Sequence, residues 1–528
     1  MPLGRDLAIL GAWVLLLFGL FLGKAIHNDE PYFLAVAEQI LRAPFRPFAF
    51  DFTWYGQEIP ASQINTNPPI LGLLLAAAMR LLGRSEWTLR AVFLPFDLAA
   101  ACSLYLLARR FLTRPLWPTL LIVSSPAYLI NLGHLMPEKL SAAFGFSSLY
   151  LLVMAVDRRK SWMFLSAALL SLAIMSKYNA VFLLAPALVY AYGRGWTWKR
   201  LLAYSLLALL PLSLWFAIDF ATGGGGAGTL WSIGSRSAGS WWSTWSHKGR
   251  SFLAFLGGCG LITAAWPWLQ ASRRLKLGAL FTAVLLFLPA WDLGPPVALV
   301  DRATGVLFAA GGLLGLVWLM SEARKEKGWP LWASWASSVC LIQLLYWSIM
   351  SRIMLFAIPP LVFASAAGFE RRRARMGRLY AASLAVVVAV TLSLAWVDYS
   401  YAKAQKEFAR HIEENYARRS RRVWYSGYMG LQYYLSRAGA QGLDLRKGGW
   451  DLPRAGDVVV VLGINSSLQK PPRPLPANVH EFRLGHPVPL RLMSGWSGEG
   501  GFYSNVSGFL PFSISSEPLE EFKTIELL

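Results

Sequence analysis

A succession of apolar segments long enough to cross a bilayer is the strongest constraint on this chain. A spanning helix needs about 17–25 mostly apolar residues. Of the 528 residues, 55% are hydrophobic and only 15% are charged, so a soluble fold is excluded. We predict a polytopic α-helical membrane protein with about thirteen transmembrane helices, at residues 7–24, 88–108, 116–133, 138–156, 161–176, 178–193, 201–218, 251–270, 277–291, 303–320, 331–350, 353–369 and 379–397.

The basic residues predict how these helices are oriented. Lys and Arg cluster in alternate loops, as at Arg109–Arg110, Arg158–Lys160, Arg273–Arg274 and the run "ERRRARMGR" at 370–378. Short loops rich in Lys and Arg remain cytoplasmic. The N-terminus is therefore predicted inside, with the long first loop (about 25–87) and the tail outside. The net charge of +21 reflects this topology, and no nucleic-acid partner is predicted.

The tail differs from the rest of the chain in composition. "VWYSG", "DVVVVLGI" and "FLPFSIS" are patterned as strands, with "YMGLQYYLSRAG" as a helix between the first two. We predict two domains: residues 1–397 in the membrane and a small extracytoplasmic α/β domain at 398–528. The first loop is predicted to contain an amphipathic helix at 31–42 and a second apolar helix at 67–83.

The cysteines do not predict a metal or disulfide framework. Cys102, Cys259 and Cys340 lie in apolar segments with no CxxC spacing. No cofactor is predicted, and a requirement for a divalent metal is left open.

Adjacent acids, Asp29 and Glu30, follow the first predicted span in "HNDEPYFLAVAEQILRAP". At this depth the carboxylates reach lipid phosphates, and one of them is a candidate general base acting on a hydroxyl. The alternative is helix capping: Asn28 or Asp29 precedes Pro31, and proline favours the first helical position. The two roles are compatible.

A second candidate acid lies at the outer end of the fourth span, in "GHLMPEKLSAAF". Glu138 is a candidate for the same site as Asp29, and the neighbouring Lys139 is a candidate substrate-binding cation. The alternative is a helix start in which Pro137 and Glu138 occupy the first turn.

Two cations lie at outer ends of apolar segments. Lys177 occurs in "MSKYNAVF" and Arg352 in "SIMSRIMLFAIPP". A charge in such a setting is usually paired or functional, and a lipid phosphate would supply the partner. The alternative is that both side chains snorkel to the interface.

The ordered set of these motifs resembles the GT-C superfamily of polytopic glycosyltransferases. It is most similar to the branch of protein O-mannosyltransferases and lipid A aminoarabinose transferases. The similarity rests on "NDEPYFLAVAEQIL", "TNPPILGLLLAAAMRLLG", "MPEKL", "SKYNAVFLLAPAL", "SRIMLFAIPPLVFASAAGF" and "WYSGYMGLQYYLSRAGA", in this order.

The resemblance implies a sugar donor carried on a polyprenyl phosphate, with Asp29 as catalytic base. Glu138 stands where many members carry an Asp. Asn67 stands where some carry a phosphate-binding Lys, so Lys177 and Arg352 become the candidate phosphate ligands. The resemblance further implies a site on the outer side of the plasma (inner) membrane and an acceptor hydroxyl on a lipid, glycan or protein.

The predicted function is therefore inverting transfer of a sugar from a polyprenyl-phosphate donor to a hydroxyl, within lipopolysaccharide or protein glycosylation. The main alternative is a multispan transporter or lipid flippase, for which Asp97 and Asp219, within or near span ends, are the best argument. A third hypothesis is an enzyme similar to O-antigen ligases, with a different fold.

Overall fold

The fold is described from a computed structural model, which covers residues 3–64, 67–221, 241–288, 297–372, 376–427, 429–444, 446–464, 475–494 and 498–528. Most of these residues are helical. The helices are α1 (Leu3–Gly19), α2 (Glu30–Arg42), α3 (Ile70–Leu82), α4 (Glu86–Ala91), α5 (Leu94–Ala108), α6 (Leu116–Val123), α7 (Pro126–Leu132), α8 (Pro137–Asp157), α9 (Trp162–Ser176), α10 (Leu184–Gly193), α11 (Trp198–Ala221), α12 (Trp241–Gly258), α13 (Ile262–Gln270), α14 (Arg273–Leu286), α15 (Leu299–Ser321), α16 (Trp329–Leu345), α17 (Ser351–Arg371), α18 (Gly377–Asn415) and α19 (Gly430–Arg437).

The strands form two sheets. They are β1 (Asp51–Trp54), β2 (Gln57–Pro60), β3 (Val423–Ser426), β4 (Gln441–Gly442), β5 (Val458–Leu462), β6 (Ala477–Leu484) and β7 (Glu520–Leu527). A polytopic helical membrane protein with a small C-terminal sheet is therefore confirmed as the fold class.

The predicted number of thirteen spans is not confirmed. Six helices of the described residues are long and apolar enough to cross a membrane, or seven if α12 and α13, bent by 81°, count as one span. Several predicted spans are interrupted or short: residues 116–133 form α6 and α7, and α9 has only 15 residues. Hydropathy alone does not distinguish one long helix from two short ones, so these breaks were not predicted.

Helix α17 forms the centre of the helical bundle. Within its apolar window, 94% of the residues are buried, and its neighbours include α7, α13 and α16. The helix begins at Ser351 after an extended Met350, so Arg352 lies in its first turn, at one end of the central helix. A charge at this position must find a partner inside the protein.

The first loop folds back over the bundle as two packed helices and a hairpin. The apolar face of α2 is buried, and Gly72 of α3 lies so close that an added Cβ would meet Val36 Cγ1 at 2.8 Å. In the hairpin, β1 and β2 pair antiparallel from Asp51 opposite Pro60 to Trp54 opposite Gln57. Tyr55, at the turn, has a positive φ of 51°.

The C-terminal sheet has strand order β4-β3-β5-β7-β6. β3 is parallel to β4 and β5, whereas β7 is antiparallel to β5 and β6. The five residues of β5 are all buried, as expected for the central strand of a sheet covered on both faces. The predicted strands "VWYSG" and "DVVVVLGI" correspond to β3 and β5.

The predicted strand "FLPFSIS" is not a strand but forms isolated bridges at Leu510 and Ser513. Its aromatic rings pack instead into the helical bundle, with Phe509 against Phe287 (ring centroids 5.2 Å apart) and Phe512 against Phe308 (5.4 Å). In this segment, contacts with helices take the place of pairing with a neighbouring strand. A strand-like sequence pattern does not distinguish these two environments. Helix α18 runs without interruption across residue 397, and the division into domains at that residue stays a prediction.

We expect the stability of the C-terminal sheet to fall as pH rises, because of one buried acid. Burial raises the pKa of Glu520 to about 8, although Ile464 N–H donates to its carboxyl group at 2.8 Å. The folded state therefore binds more protons than the unfolded chain between the ordinary carboxyl pKa and about pH 8, and it loses this stabilisation as pH rises through that range.

Thermal unfolding midpoints in detergent, compared at about pH 5 and about pH 9, would measure this effect. Glu520→Gln should flatten the decline, whereas the exposed Glu481→Gln should retain it. An unchanged pH dependence in Glu520→Gln would contradict the assignment.

Candidate active site

A cavity of about 480 Å³ lies between the first loop, the ends of the central helices and the C-terminal region. Five of the residues predicted for the site line it: Asp29, Asn67, Glu138, Lys177 and Arg352. They come from distant parts of the chain, namely the start of α2, the loop before α3, the starts of α8 and α17, and the residue that directly follows α9. The rest of the lining includes many aromatic and methionine side chains, such as Tyr32, Trp54, Tyr346, Trp347, Met350 and Met429.

Four charged side chains form a row with alternating signs along the cavity wall. Lys177 Nζ bonds to Glu138 Oε1, and Arg352 Nε lies 3.5 Å from the same oxygen. At the other end, Arg352 Nη1 donates to Asp29 Oδ2 at 2.8 Å. The row therefore runs Lys177, Glu138, Arg352, Asp29, with two cations balanced by two anions.

The two acids of this row differ in accessibility. The side chain of Asp29 is 20% exposed, whereas that of Glu138 is 1% exposed. Asp29 can thus contact a molecule in the cavity, and Glu138 lies behind the cations. Glu138 Oε2 is buried and has no hydrogen-bond partner among the described residues. Glu138 is therefore positioned to hold Lys177 and Arg352 at the cavity wall.

The backbone before α2 directs the Asp29 side chain into the cavity. Asn28 adopts a left-handed conformation with φ of 57°, which Asn tolerates better than most residues. Asp29 occupies the N-cap position, but its side chain makes no capping hydrogen bond. The carboxylate therefore lies in the cavity and does not cap the helix. Asn28, Tyr55 and Met429 all have positive φ and all line the cavity, as is frequent around ligand sites.

Glu30, predicted as catalytic, does not line the cavity. It is fully buried and bonds to Arg90 through both oxygens, at 2.7 and 2.9 Å. The same oxygens accept the backbone N–H groups of Leu135 (2.8 Å) and His27 (2.9 Å). Burial alone would raise the pKa of Glu30, but the Arg90 guanidinium and the ring of His134 outweigh it, so the pKa lies well below its ordinary value.

Lys139 also lies away from the cavity. Its ammonium donates to Asp97 Oδ2 at 2.8 Å, and both side chains are buried. Adjacent residues in a helix point about 100° apart, so Glu138 and Lys139 face different surroundings. Asn67 lines the cavity and accepts the backbone N–H of Tyr178 at 3.2 Å. It thereby links the loop before α3 to the segment that carries Lys177.

A buried polar network beneath the cavity was not predicted. It joins Lys24, His27, His134, Asp398 and Tyr503, all buried. Asp398 bonds to Lys24, to His27 Nε2 at 3.1 Å and to the Tyr503 hydroxyl. Tyr503 also lines the cavity, so the network reaches the site from below. Apart from Lys24 and His27, these residues lie far apart in the sequence, and no spacing signal connects them.

This network contains the only group of metal-ligating side chains found among the described residues. Potential ligand atoms of His27, His134 and Asp398 lie within 4.8 Å of one another. The Lys24 ammonium already bonds to Asp398 and lies 3.0 Å from His134 Nε2. Burial lowers the pKa of His27 to about 4, so this imidazole is neutral near pH 7. With Lys24 balancing Asp398, the charges of the group are compensated without a metal ion.

The C-terminal region closes the cavity through the segment around Met429 and Gly430. A Cβ added to Gly430 would meet Gln405 Oε1 at 2.4 Å and Ile26 O at 2.6 Å. Ile26 N–H also donates to the Tyr434 hydroxyl at 2.8 Å. Helix α19 of the C-terminal region therefore contacts the backbone that precedes Asp29 directly.

These features define a multi-pass membrane protein with a charged cavity, lined partly by its C-terminal region. Residues 66–218 match the family model PMT_2, described as dolichyl-phosphate-mannose-protein mannosyltransferase. The match contains Asn67, Glu138, Lys139 and Lys177. It confirms the resemblance to GT-C glycosyltransferases of the protein O-mannosyltransferase branch.

Solved structures are also similar to this chain. The crystal structure of ArnT from Cupriavidus metallidurans in the apo state is 15% identical, with a TM-score of 0.45 and coverage of 86% of this chain and 92% of that chain. The same protein bound to undecaprenyl phosphate is 14% identical, with a TM-score of 0.44 and the same coverage. The archaeal oligosaccharyltransferase AglB from Archaeoglobus fulgidus, in complex with an inhibitory peptide and a dolichol-phosphate, is 13% identical, with a TM-score of 0.46 and coverage of 87% and 69%. A sequence search of curated proteins finds no match.

We expect glycine to be tolerated better than alanine at position 28. An L-residue with a Cβ in the left-handed region costs about 1–2 kcal/mol, whereas glycine adopts this region freely. Asn28→Ala should therefore lower the thermal unfolding midpoint more than Asn28→Gly. At Gln39, inside α2, the order should be reversed, because alanine is favoured over glycine in helices by about 1 kcal/mol. The same order at both positions would contradict the conformation described for Asn28.

Proposed function

We propose that this protein transfers a sugar from a polyprenyl-phosphate donor to an acceptor hydroxyl in the cavity described above. One observation supports this most directly: an accessible carboxylate, Asp29, lies beside two cations, Arg352 and Lys177, at the edge of a membrane bundle. A transferase with a lipid-phosphate leaving group requires a base for the acceptor and positive charge for the departing phosphate.

The chemistry follows from the positions of these groups. Asp29 accepts the proton of the acceptor hydroxyl as its oxygen attacks the anomeric carbon of the donor. The bond between that carbon and the phosphate oxygen breaks, and its electron pair leaves with the polyprenyl phosphate. Arg352 and Lys177 stabilise the charge that develops on the phosphate. Attack and departure on opposite faces of the sugar invert the anomeric centre, as in inverting glycosidases.

The remaining predicted residues have supporting roles in this proposal. Glu138 keeps the two cations at the cavity wall, and Asn67 fixes the segment that carries Lys177. Glu30 and Lys139, although predicted as site residues, act from outside the cavity. Glu30 holds the loop that carries Asp29, and Lys139 neutralises Asp97 next to the start of α8.

The orientation of the site is part of the same proposal. We place the cavity and the α/β region, residues 398–528, on the outer side of the plasma (inner) membrane, and the arginine-rich turns in the cytoplasm. The aromatic residues around the cavity suit a sugar ring, whose C–H faces pack on aromatic side chains. Membrane lipids surround the bundle, and the acceptor is a lipid, glycan or protein presented at this outer surface.

The transporter alternative is weaker for a specific reason. Of the two acids that favour it, neither Asp97 nor Asp219 is on the cavity wall, and Asp97 is paired with Lys139 inside the bundle. The Asp97 carboxylate is thus already compensated by a buried cation and is not presented to the cavity.

Replacement of the proposed base should abolish transfer but not donor binding. Asp29→Asn removes the proton acceptor while preserving shape, so we expect turnover to fall by about 10²–10⁴-fold. The measurement is transfer from polyprenyl-phosphate sugars to a panel of hydroxyl acceptors by the purified protein. Glu407→Gln, at a side chain that is 65% exposed on α18, is the matched control. Full activity in Asp29→Asn would disprove the role of this carboxylate.

Loss of the Lys177 ammonium should weaken donor binding. A hydrogen bond to a charged group contributes about 1.5–3 kcal/mol, so Lys177→Met should bind polyprenyl phosphate about tenfold more weakly or worse. Equilibrium binding in nanodiscs provides the measurement, with Lys403→Met as the control, because Lys403 is 57% exposed on α18. Unchanged affinity in Lys177→Met would remove this residue from the phosphate site.

A further inference from the structure

We propose that Arg352 is a phosphate-operated latch on Asp29. In this inference, which rests on the proposed function, the guanidinium pairs with Asp29 until a donor phosphate competes for it. Binding of the phosphate then releases the carboxylate to act as base. Arg352 lies between the two acids, and these acids differ in the number of their ion-pair partners.

The contact between Arg352 and Asp29 occupies both groups that the reaction needs. Arg352 Nη1 donates to Asp29 Oδ2 at 2.8 Å at the cavity wall. While Asp29 Oδ2 accepts this hydrogen bond, that oxygen is less available to a hydroxyl in the cavity. A guanidinium held by a carboxylate is likewise less available to a phosphate. The pair must therefore separate, at least in part, before phosphate stabilisation and proton acceptance can occur together.

A phosphate is a suitable competitor for this guanidinium. Arginine binds phosphate and carboxylate oxygens with the same planar arrangement of N–H donors. The charged row contains two cations and two anions, so a donor phosphate adds a negative charge that only a rearrangement of the existing pairs can compensate. Arg352 is the member of the row that contacts both acids.

The pairing of the two acids determines which of them is released. Glu138 has two ion-pair partners, Lys177 and Arg352. Asp29 has one within the described parts of the chain, namely Arg352. If Arg352 turns toward a phosphate, Glu138 therefore remains paired with Lys177, whereas Asp29 loses its cation. The latch thus frees the accessible acid and leaves the buried one compensated.

The consequence for the reaction is an ordered site. Before the donor is bound, Asp29 Oδ2 accepts from Arg352, so a hydroxyl in the cavity meets a carboxylate that is already paired with a cation. After the phosphate is bound, the same hydroxyl faces an unpaired carboxylate next to the anomeric carbon. The latch therefore restricts deprotonation of the acceptor to the complex that already holds the donor.

Binding of polyprenyl phosphate, without its sugar, tests the competition by a double-mutant cycle. Asp29→Asn removes the competing charge, so its affinity should rise about tenfold, in line with a charged hydrogen bond. In an Arg352→Met background the same substitution should change affinity by less than about twofold. Repulsion between Asp29 and the phosphate alone would give equal gains in both backgrounds. The cycle therefore separates competition for Arg352 from general electrostatics.

Two controls complete the design. Glu407→Gln should leave affinity unchanged in both backgrounds, and thermal unfolding should show that each variant is folded. If Arg352→Met does not fold, Arg352→Gln replaces it, since glutamine also removes the charge but retains a planar hydrogen-bonding group.

The outcomes are distinguishable. A gain with Asp29→Asn that disappears without Arg352 supports the latch. Equal gains in both backgrounds, or no gain in either, overturn the latch alone, provided that the unmodified protein binds polyprenyl phosphate and transfers sugar. If the unmodified protein does not bind polyprenyl phosphate, the proposed function and the latch are both overturned.

Discussion

The cavity wall is held in register by one buried ion pair, Arg90 with Glu30. Besides its two bonds to Glu30, the Arg90 guanidinium donates to the carbonyl oxygens of Lys24, Ala25 and Gly133. It therefore joins the end of α1, the start of α2 and the segment that leads into α8. Asp29 and Glu138 lie next to these junctions, so their relative positions depend on this pair. Separating a buried pair by removing one partner costs about 3–5 kcal/mol, which makes the junction resistant to local distortion.

The sequence predicted the cavity better than it predicted the helices around it. Lys177 and Arg352 are predicted because a charge in an apolar setting is costly, and Asp29 and Glu138 because acids lie at the ends of apolar segments. These four side chains do meet. The same argument could not separate Glu30 from Asp29 or Lys139 from Glu138. Those neighbours differ only in the direction of one side chain, which depends on partners tens of residues away.

The breaks in the helices were also not predicted from the sequence. Hydropathy measures average composition, and the bend between α12 and α13 leaves that average unchanged. The buried network around Asp398 was beyond prediction for another reason: its five polar members are spread over four separate segments. Only the folded backbone shows that they share one site. The strand predicted at 509–515 does not form, because the apolar residues of this segment pack on helices and not in a sheet.

Helix α18 has a consequence for the depth at which this protein works. Its 39 residues give a length of roughly 58 Å at about 1.5 Å per residue, whereas the hydrocarbon layer is about 30 Å thick. About half of the helix therefore extends beyond the hydrocarbon layer. The sheet packs against the far end of this helix through Phe408 and Phe522, whose ring centroids are 4.2 Å apart. The distance between the apolar part of this helix and the sheet is thus set by the polypeptide itself.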